Sequence, residues 1–192
     1  MKDQLIDLNQ RIAERTRALR GTLGLSLDEL AGRSGVSRSM LSLIERGESS
    51  PTAVVLEKLA TGLGVTLASL FDHVEVTASP VSRRAEQLEW QDPASGYRRR
   101  NVSPPGVPQP MQIVDVNFPA GARVAFESNT RATPVQQQVW VLSGCIEVTT
   151  GATTHRLCDG DCLAMQLSAP TMFHNPTHEP ARYAVVITSH RV

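Results

Sequence analysis

The spacing of apolar residues divides the chain into two parts. Up to Phe71, apolar side chains recur every three or four positions, which is the period of one face of an α-helix. Beyond the prolines that crowd the stretch from Pro104 to Pro110, the pattern changes to short alternating or β-branched runs separated by Gly, Pro, Asn and Asp. The sequence therefore predicts an α-helical part followed by an all-β part.

Polar caps and glycines predict where the first helices begin and end. Ser26, followed three positions later by Glu29, has the pattern of a capping box that starts a second helix. Gly35 tolerates the positive φ that a tight turn after this helix needs. Ser37 is expected to cap a third helix that ends at Gly47. Two short helices joined by such a turn form the unit whose second helix enters the major groove of DNA.

Two more helices are expected to complete this part. A fourth opens at Pro51 or Thr52 and extends to about Thr61, and a short fifth helix runs from a cap at Thr66 through Leu70. Between the second and third helices we expect a small buried core, with the helices crossing closely at an alanine. Its predicted members are Leu27, Leu30, Ala31, Val36, Leu41 and Ile44.

Four short runs carry a family resemblance over about residues 12–71: Leu25–Ala31, Ser34–Ser39, Ile44–Glu48 and Ser50–Thr52. In order and spacing they resemble the Cro/phage-repressor family, often called XRE. The resemblance implies a helix-turn-helix domain that binds double-stranded operator DNA. We place this domain at residues 9–72.

The resemblance also implies which residues contact DNA: Ser26, Ser37, Arg38, Ser39, Ser42, Leu43 and Arg46. Arg38 is expected to bind a guanine edge with two hydrogen bonds, and the alternative is a solvated surface arginine. Ser39 and Ser42 would reach a base or a phosphate. Arg46 and the backbone N–H groups near Ser26 and Ser37 would meet phosphates, because helix N-termini favour anions.

Two further positions follow from the same resemblance. Arg20 and Glu45 match positions that form an ion pair in some members, which would hold the first helix against the third; the alternative is two unrelated surface charges. Leu27 stands where many members have a DNA-contacting Gln, so that contact is not expected in this chain.

The second part has the pattern of a double-sheet jelly-roll barrel. Its predicted strands lie within the runs Met111–Phe118, Val139–Val148 and Tyr183–Thr188, with two more at Glu86–Trp90 and Tyr97–Val102. We place a linker at residues 73–80 and the β-domain at residues 81–192, with its core at residues 111–187.

This part resembles the small cupin family, through motifs at Pro119–Gly121, Trp140–Gly144, Gly160-Asp161 and Asn175. Metal-binding cupins have three His and one Glu that converge on one ion. The matched positions here hold Arg131, Thr133, Gln137 and Thr171, and Gln is a poor ligand for zinc or iron. We therefore expect no metal, no cofactor and no catalytic residue.

Uncharged and cationic side chains with apolar neighbours instead favour a pocket for a small organic effector. The candidate residues are Arg131, Thr133, Gln137, Val139, Val141, Thr171 and Phe173. Arg131 would hold a carboxylate or phosphate of the effector. The alternatives are a filled barrel that only dimerises the chain, and a metal-dependent cupin enzyme fused to a DNA-binding domain.

Composition narrows these possibilities. The 192 residues include 19 basic and 19 acidic ones, which excludes a chain that coats DNA through a global positive charge. No apolar run approaches the roughly 20 residues that span a bilayer, and no signal peptide is evident, so we expect a cytoplasmic protein with no membrane partner. In that compartment Cys145, Cys158 and Cys162 are expected to be reduced thiols. A thiol sensor is the alternative to three small buried side chains.

Together these patterns predict a multidomain α plus β protein, with a five-helix helix-turn-helix domain and a cupin jelly-roll barrel. The expected function is that of a transcriptional regulator, not an enzyme. It would act as a dimer, because one small headpiece of balanced charge offers few DNA contacts and two headpieces can share a site. The resemblance to the Cro/phage-repressor family implies that it represses transcription. The second domain would dimerise the chain and sense a small molecule.

Overall fold

The computed structural model describes residues 2–71, 79–107, 110–127 and 135–189. The chain forms two compact units. One comprises Met1–Val81 with Pro104–Val107, and the other comprises Ser82–Ser103 with Pro108–Val192. In the part of the chain described, no helix is both long and apolar enough to cross a membrane.

Four α-helices build the first unit: α1 (Lys2–Thr22), α2 (Leu27–Ser34), α3 (Arg38–Glu45) and α4 (Ala53–Gly62). The expected fifth helix is wrong, because the chain forms only a 3₁₀ turn at Ala68–Phe71. Its backbone bonds run over three residues, from Ser69 N–H to the Thr66 carbonyl at 3.0 Å, and Gly64 before it breaks the chain direction with a φ of 70°. The Thr66 hydroxyl does accept the Ser69 N–H, at 3.2 Å.

The predicted helix starts are confirmed by their hydrogen bonds. The Ser26 hydroxyl accepts the Glu29 N–H at 3.2 Å, while the Glu29 carboxylate accepts the Ser26 N–H at 2.7 Å. Ser37 caps α3 by accepting the Met40 N–H at 3.3 Å. Gly35 has the left-handed conformation that the turn between α2 and α3 requires, with a φ of 67°.

The core of the helical unit matches the prediction at four positions, since Leu30, Val36, Leu41 and Ile44 are buried. Leu27 and Ala31 are only half-buried. A close approach of two helices lies elsewhere, where α2 meets α4: a Cβ on Gly62 would lie 2.7 Å from the Cβ of Ser34. The contact of α2 with α4 therefore depends on a glycine that the sequence pattern does not distinguish.

The described residues of the second unit form ten strands: β1 (Glu89–Gln91), β2 (Arg98–Asn101), β3 (Met111–Phe118), β4 (Arg123–Phe126), β5 (Val135–Ser143), β6 (Ile146–Thr150), β7 (Thr153–Leu157), β8 (Cys162–Gln166), β9 (Thr171–His174) and β10 (Ala181–Ser189). They form one antiparallel sheet in the order β1-β2-β3-β10-β5-β8 and a second in the order β4-β9-β6-β7. The expected closed barrel is not found. Over the residues described, both sheets remain open because β1, β8, β4 and β7 are edge strands.

The predicted strand runs are largely confirmed. The run Val139–Val148 is divided into β5 and β6 at Gly144, where a Cβ would lie 3.0 Å from the Ala181 Cα and where φ is 79°. Of the run Glu86–Trp90, only the last two residues enter β1, because Arg84–Glu86 forms a 3₁₀ turn.

Aromatic rings connect the two sheets inside the β unit. Phe173 of β9 stacks on Tyr183 of β10 with ring centroids 5.8 Å apart and an interplanar angle of 7°. The contacts continue from Tyr183 to Phe118 at 6.0 Å and from Phe173 to Phe126 at 6.2 Å. The core of the unit therefore lies between the sheets.

The expectation of three reduced cysteines is wrong for two of them. Cys145 and Cys158 form a disulfide, with their Cα atoms 4.2 Å apart, and Cys162 is a free exposed cysteine. The pair is 13 residues apart in sequence, but the antiparallel pairing of β6 with β7 returns the chain to the same end of the sheet, which brings the two side chains together.

Candidate functional site

The residues predicted to contact DNA surround one exposed face of α3. Arg38, the first residue of α3, is exposed together with Ser26, Ser37, Ser39 and Arg46, while Ser42 and Leu43 are half-buried. These four positions share one side of the helix, because the pairs 38/42, 39/42 and 39/43 are three or four residues apart. In a helix-turn-helix unit, the N-terminal residues of this second helix are those that meet base edges.

Glu45, at the C-terminal end of α3, holds this helix against α1. Its carboxylate accepts two hydrogen bonds from the Arg20 guanidinium, at 2.6 Å and 2.9 Å, and its carbonyl accepts a third from Arg17. The bond to Glu45 raises the pKa of Arg20, against the opposing effect of burial. Arg20 also donates to the Leu25 carbonyl at 2.7 Å, before α2 begins. The predicted structural ion pair is confirmed.

The two arginines of the exposed face are already engaged in surface pairs. Arg38 lies 3.2 Å from a carboxylate oxygen of Asp28, and both side chains are well exposed. Arg46 donates to Glu48 at 2.8 Å and also to the Ser42 hydroxyl. The hydrogen bond between Arg46 and Glu48 raises the pKa of Arg46 and lowers the pKa of Glu48. A base or a phosphate would have to replace these carboxylates, and the sequence analysis missed that role of Asp28.

The N-terminus of α2 carries its own anion. The Ser26 N–H donates to the Glu29 carboxylate, which also accepts from the Ser26 hydroxyl at 2.8 Å. These bonds lower the pKa of Glu29 and favour its charged form. A phosphate near Ser26 would therefore compete with a carboxylate for that N–H group, whereas Ser37 at the start of α3 has no acidic residue in the first turn that follows it.

Five of the seven candidate effector residues lie in the interior of the β unit. Val139 and Val141 of β5 and Thr171 and Phe173 of β9 are buried, and they come from different sheets. Gln137 is 8% exposed, and its amide nitrogen lies 3.4 Å from the Met165 sulfur. Arg131 and Thr133 fall outside the described residues. These five residues are thus mainly apolar, with the Gln137 amide and the Thr171 hydroxyl as their polar groups.

These side chains do not fit a divalent metal ion. An amide at position 137 and a hydroxyl at position 171 replace the carboxylate and imidazole of metal-binding cupins, and neither is a good ligand for zinc or iron. Across the described ranges, no three His, Cys, Asp or Glu side chains are grouped so that they could hold a metal. His174 pairs with Glu147 at 3.3 Å, and alternation along β9 turns it away from Thr171 and Phe173.

One interior cation was missed by the sequence analysis. Arg99 of β2 is 5% exposed, and its positive charge acts on both Tyr97 and Tyr183. Burial raises the pKa of Tyr97 to about 12 and that of Tyr183 well above its ordinary value, so both phenols stay neutral. The alternation of side chains along Arg98-Arg99-Arg100 could have predicted this buried arginine. Only the middle residue shares the inward face with Trp90 and Tyr97.

With this geometry, the helical unit belongs to the helix-turn-helix class, and comparison with known proteins identifies the family. A helix-turn-helix family model, HTH_3, matches residues 17–70. The uncharacterised regulator y4dJ of Sinorhizobium fredii is 35% identical over 72 residues, which are 38% of this chain and 94% of that protein. The chain therefore belongs to the family of helix-turn-helix transcriptional regulators.

The relatives include longer proteins. The transcriptional regulator SutR of Escherichia coli is 51% identical over 53 residues, which are 28% of this chain and 30% of SutR. The chain thus spans less than a third of the length of SutR.

Among solved structures, an HTH_3 family transcriptional regulator from Vibrio cholerae aligns with 97% of this chain and 99% of its own, with a TM-score of 0.78 and 25% identity. The folds of both units therefore have counterparts in one helix-turn-helix regulator. Cupin structures also occur among the neighbours, for example a cupin domain of an XRE family regulator from Enterobacter cloacae that covers 43% of this chain with a TM-score of 0.39. The architecture of the β unit is therefore described by its own two sheets and their strand order.

Proposed function

We propose that this protein is a dimeric transcriptional repressor whose β unit senses a small organic molecule without a metal ion, and that it is not an enzyme. The observation that supports the proposal is the exposed face of α3, held against α1 by the Arg20–Glu45 ion pair in a chain of the helix-turn-helix regulator family. At the candidate effector site, Gln137 and Thr171 supply an amide and a hydroxyl, and neither group acts as a general acid or base near neutral pH.

In this proposal α3 enters the major groove with its N-terminal end first. Arg38 leaves Asp28 and donates two hydrogen bonds to a guanine, which is the commonest specific contact of an arginine with a base. Ser39, Ser42 and Leu43 lie next to it on the helix surface and contact the neighbouring base edges or phosphates. Ser26, Ser37 and Arg46 contact the flanking phosphates and so fix the position of the helix.

Dimerisation follows from the energetics of this small interface. Asp28, Glu29 and Glu48 lie close to the arginines and serines of the exposed face, so a single headpiece has little excess positive charge to attract phosphates. Two headpieces on one pseudo-palindromic operator double the contacts and add specificity. We assign the joining of the two chains to the β unit.

We assign effector binding to the interior of the β unit. Gln137 and Thr171 supply polar groups next to the apolar walls of Val139, Val141 and Phe173, a composition typical of sites for small organic ligands. Arg131 and Thr133 complete the proposed site. The effector would favour one of two arrangements of the paired headpieces, and only one of these fits the spacing of the operator half-sites.

Selection of DNA by the purified full-length chain tests this function. From a pool of random duplexes, we expect enrichment of an inverted repeat whose half-sites are about 10 base pairs apart, centre to centre, or a multiple of that distance. The enriched sequence should contain a guanine within each half-site, at the position assigned to Arg38. A pool that shows no enriched sequence after repeated rounds would contradict operator recognition, and enrichment of a single half-site would contradict the dimer.

A further inference from the structure

The disulfide lies where the chain passes twice between the two sheets. Cys145 is in the connection from β5 to β6, and Cys158 is in the connection from β7 to β8. Strands β5 and β8 belong to the six-stranded sheet, whereas β6 and β7 belong to the four-stranded sheet. The Cys145–Cys158 bond therefore joins both connections at one end of the β unit.

The turn that carries Cys158 is bonded directly to the middle of the interior wall. The Val141 N–H donates to the Asp161 carbonyl at 2.9 Å, and the Val141 carbonyl accepts the Gly160 N–H at 3.0 Å. Within the turn, the Cys158 N–H donates to the Asp161 carboxylate at 2.8 Å. Since the Val141 side chain is fully buried, the position of this turn is coupled to a residue of the proposed effector site.

The third cysteine is separate from this pair. Cys162 begins β8 opposite Trp140 of β5, and both side chains lie on the exposed face of the six-stranded sheet. Alternation along β5 places Val139 and Val141 on the other face. Cys145 and Cys158 are half-buried, whereas Cys162 is exposed.

We propose that Cys145 and Cys158 are a reversible dithiol–disulfide site that exchanges with low-molecular-weight disulfides, such as oxidised glutathione. The thiolate of one cysteine attacks the small disulfide, which releases one small thiol and leaves a mixed disulfide. The second cysteine then attacks the protein sulfur of that mixed disulfide and releases the second small thiol. In total, two protein thiols and one small disulfide become one protein disulfide and two small thiols, and Cys162 remains a thiol throughout.

The Cys145–Cys158 bond is coupled to the proposed effector site through the turn at residues 158–161. When the bond is reduced, the two connections are no longer tied, and the hydrogen bonds between the turn and Val141 open more often. Reduction of the disulfide would then make the Val141 side of the proposed effector site more mobile. This consequence rests on the proposed effector function, whereas the exchange chemistry does not.

Thiol trapping tests the exchange. We would equilibrate the full chain in glutathione buffers from fully reduced to fully oxidised, block free thiols with an alkylating reagent, and count the blocked cysteines by peptide mass. We expect three blocked cysteines at the reducing end and only Cys162 at the oxidising end, with a reversible transition between them. A bond that persists in the most reducing buffer, a pair that never forms, or a bond that includes Cys162 would each overturn the proposal.

Hydrogen exchange tests the coupling to the interior. Reduction should speed exchange of the Val141 and Gly160 amides by about tenfold or more. The Gly151 amide, which donates to the Pro170 carbonyl at 2.9 Å at the other end of the unit, is the internal control and should not change. The Cys145→Ser variant should show fast exchange in every buffer, and Cys162→Ser should behave as the unmodified chain. Equal rates in both redox states would overturn the coupling.

Failure of the proposed function gives a different pattern from failure of this inference. If the β unit binds no effector, the thiol titration and the exchange of the Val141 amide are unaffected. If the exchange site is wrong, effector binding and DNA selection can still succeed with the thiols blocked.

Discussion

At the scale of single residues, Glu45 controls how α3 is presented. Its side chain is only 8% exposed and accepts two hydrogen bonds from the guanidinium of Arg20 in α1. Its backbone carbonyl accepts a further hydrogen bond from Arg17, which also belongs to α1. Hydrogen bonds that involve ionised groups contribute about 1.5–3 kcal/mol, more than neutral ones. The same carboxylate thus ties the end of α3 to α1 and leaves the N-terminal end of α3 facing outward.

Arg38 is the residue on which base recognition should depend. Replacing it by Ala removes a bidentate contact, so Arg38→Ala should weaken binding to the selected operator by about 1–3 kcal/mol and relax the preference at one base of each half-site. Fluorescence anisotropy with the selected duplex and with single-base variants of it measures both effects.

Arg123→Ala is the matched control for this change. Arg123 is an exposed arginine of β4, so its loss removes the same charge from the other unit. We expect the control to bind like the unmodified chain. If Arg38→Ala and Arg123→Ala have equal affinity and equal base preference, Arg38 is a solvated arginine and the base contact is wrong.

At the scale of elements, strands β2, β3 and β10 are tied on their outer face by a charged cluster. Asp115 of β3 accepts two hydrogen bonds from Arg182 of β10, at 2.9 Å and 3.1 Å, and one from Arg100 of β2. Burial raises the pKa of Asp115, but the hydrogen bonds and charges of the two arginines outweigh it, so this pKa lies below its ordinary value. Arg100 also donates to Gln87 at 3.0 Å.

This cluster predicts how stability depends on pH. Because the pKa of Asp115 is lower in the folded chain, its stabilising effect is complete above the unfolded value of about 3.9 and is lost as the pH falls through the folded value. Asp115→Asn should lower the free energy of unfolding at pH 7 by about 3 kcal/mol, since it leaves Arg100 buried without its anion. The variant should also lose part of the decrease in stability below about pH 4.

Urea unfolding followed by tryptophan fluorescence measures this effect. Both tryptophans of the chain, Trp90 and Trp140, lie in the β unit, so the signal reports on the unit that holds Asp115. The exposed Asp159 provides a control, and Asp159→Asn should unfold like the unmodified chain. If the free energy of unfolding changes with pH in the same way in all three proteins, protonation of Asp115 is not linked to folding and the prediction is wrong.

The helices and strands also show which parts of the fold could be predicted from the sequence. The helix caps predicted at Ser26 and Ser37 have their hydrogen bonds, because a cap depends on residues only three positions apart. Thr52, one of the two predicted starts of the fourth helix, also accepts the Val55 N–H, at 3.4 Å. The predicted fifth helix failed at Ala68–Phe71, where four residues form a 3₁₀ turn. Strand interiors were well predicted by alternation, but the openness of the sheets was not, since it depends on which distant strands pair.

At the scale of the whole molecule, the proposed regulator must couple an event in one unit to DNA binding by the other. An effector that binds only the folded chain stabilises it by about 2.7 kcal/mol at a concentration of 100 times its Kd. A screen of small carboxylates and phosphates by thermal unfolding of the full chain should therefore find a compound that raises the Tm. The same compound should change the affinity for the selected operator.

Neighbouring glutamines provide the matched variants for this prediction. Gln137 is buried on the inward face of β5, while Gln136 is exposed on the other face. Gln137→Ala should lose the thermal shift and the effect on DNA affinity, and Gln136→Ala should keep both. A screen without any stabilising compound would favour a β unit that only joins two chains, and equal responses of the two variants would place the binding site elsewhere.

The sequence by itself determined the features that depend on neighbours along the chain. These are the starts of α2 and α3, the alternation of the strands, the turn at Gly35, and the family motifs that point to DNA. Such features are set by local hydrogen bonds and by side-chain periodicity, so a linear pattern contains them. The ligand chemistry of Gln137 and Thr171 could equally be predicted from the sequence, because an amide and a hydroxyl are poor ligands for zinc or iron wherever they lie.

Only the tertiary structure decided what distant residues do together. It joined Cys145 to Cys158, placed Arg99 between the sheets, and held Arg38 beside Asp28. Each of these depends on where separate strands or helices meet, and alternation does not state which partner a strand takes. The physical reason is that pairing between sheets and helices is fixed by packing of the whole unit, whereas the periodic pattern fixes only which side of an element faces inward.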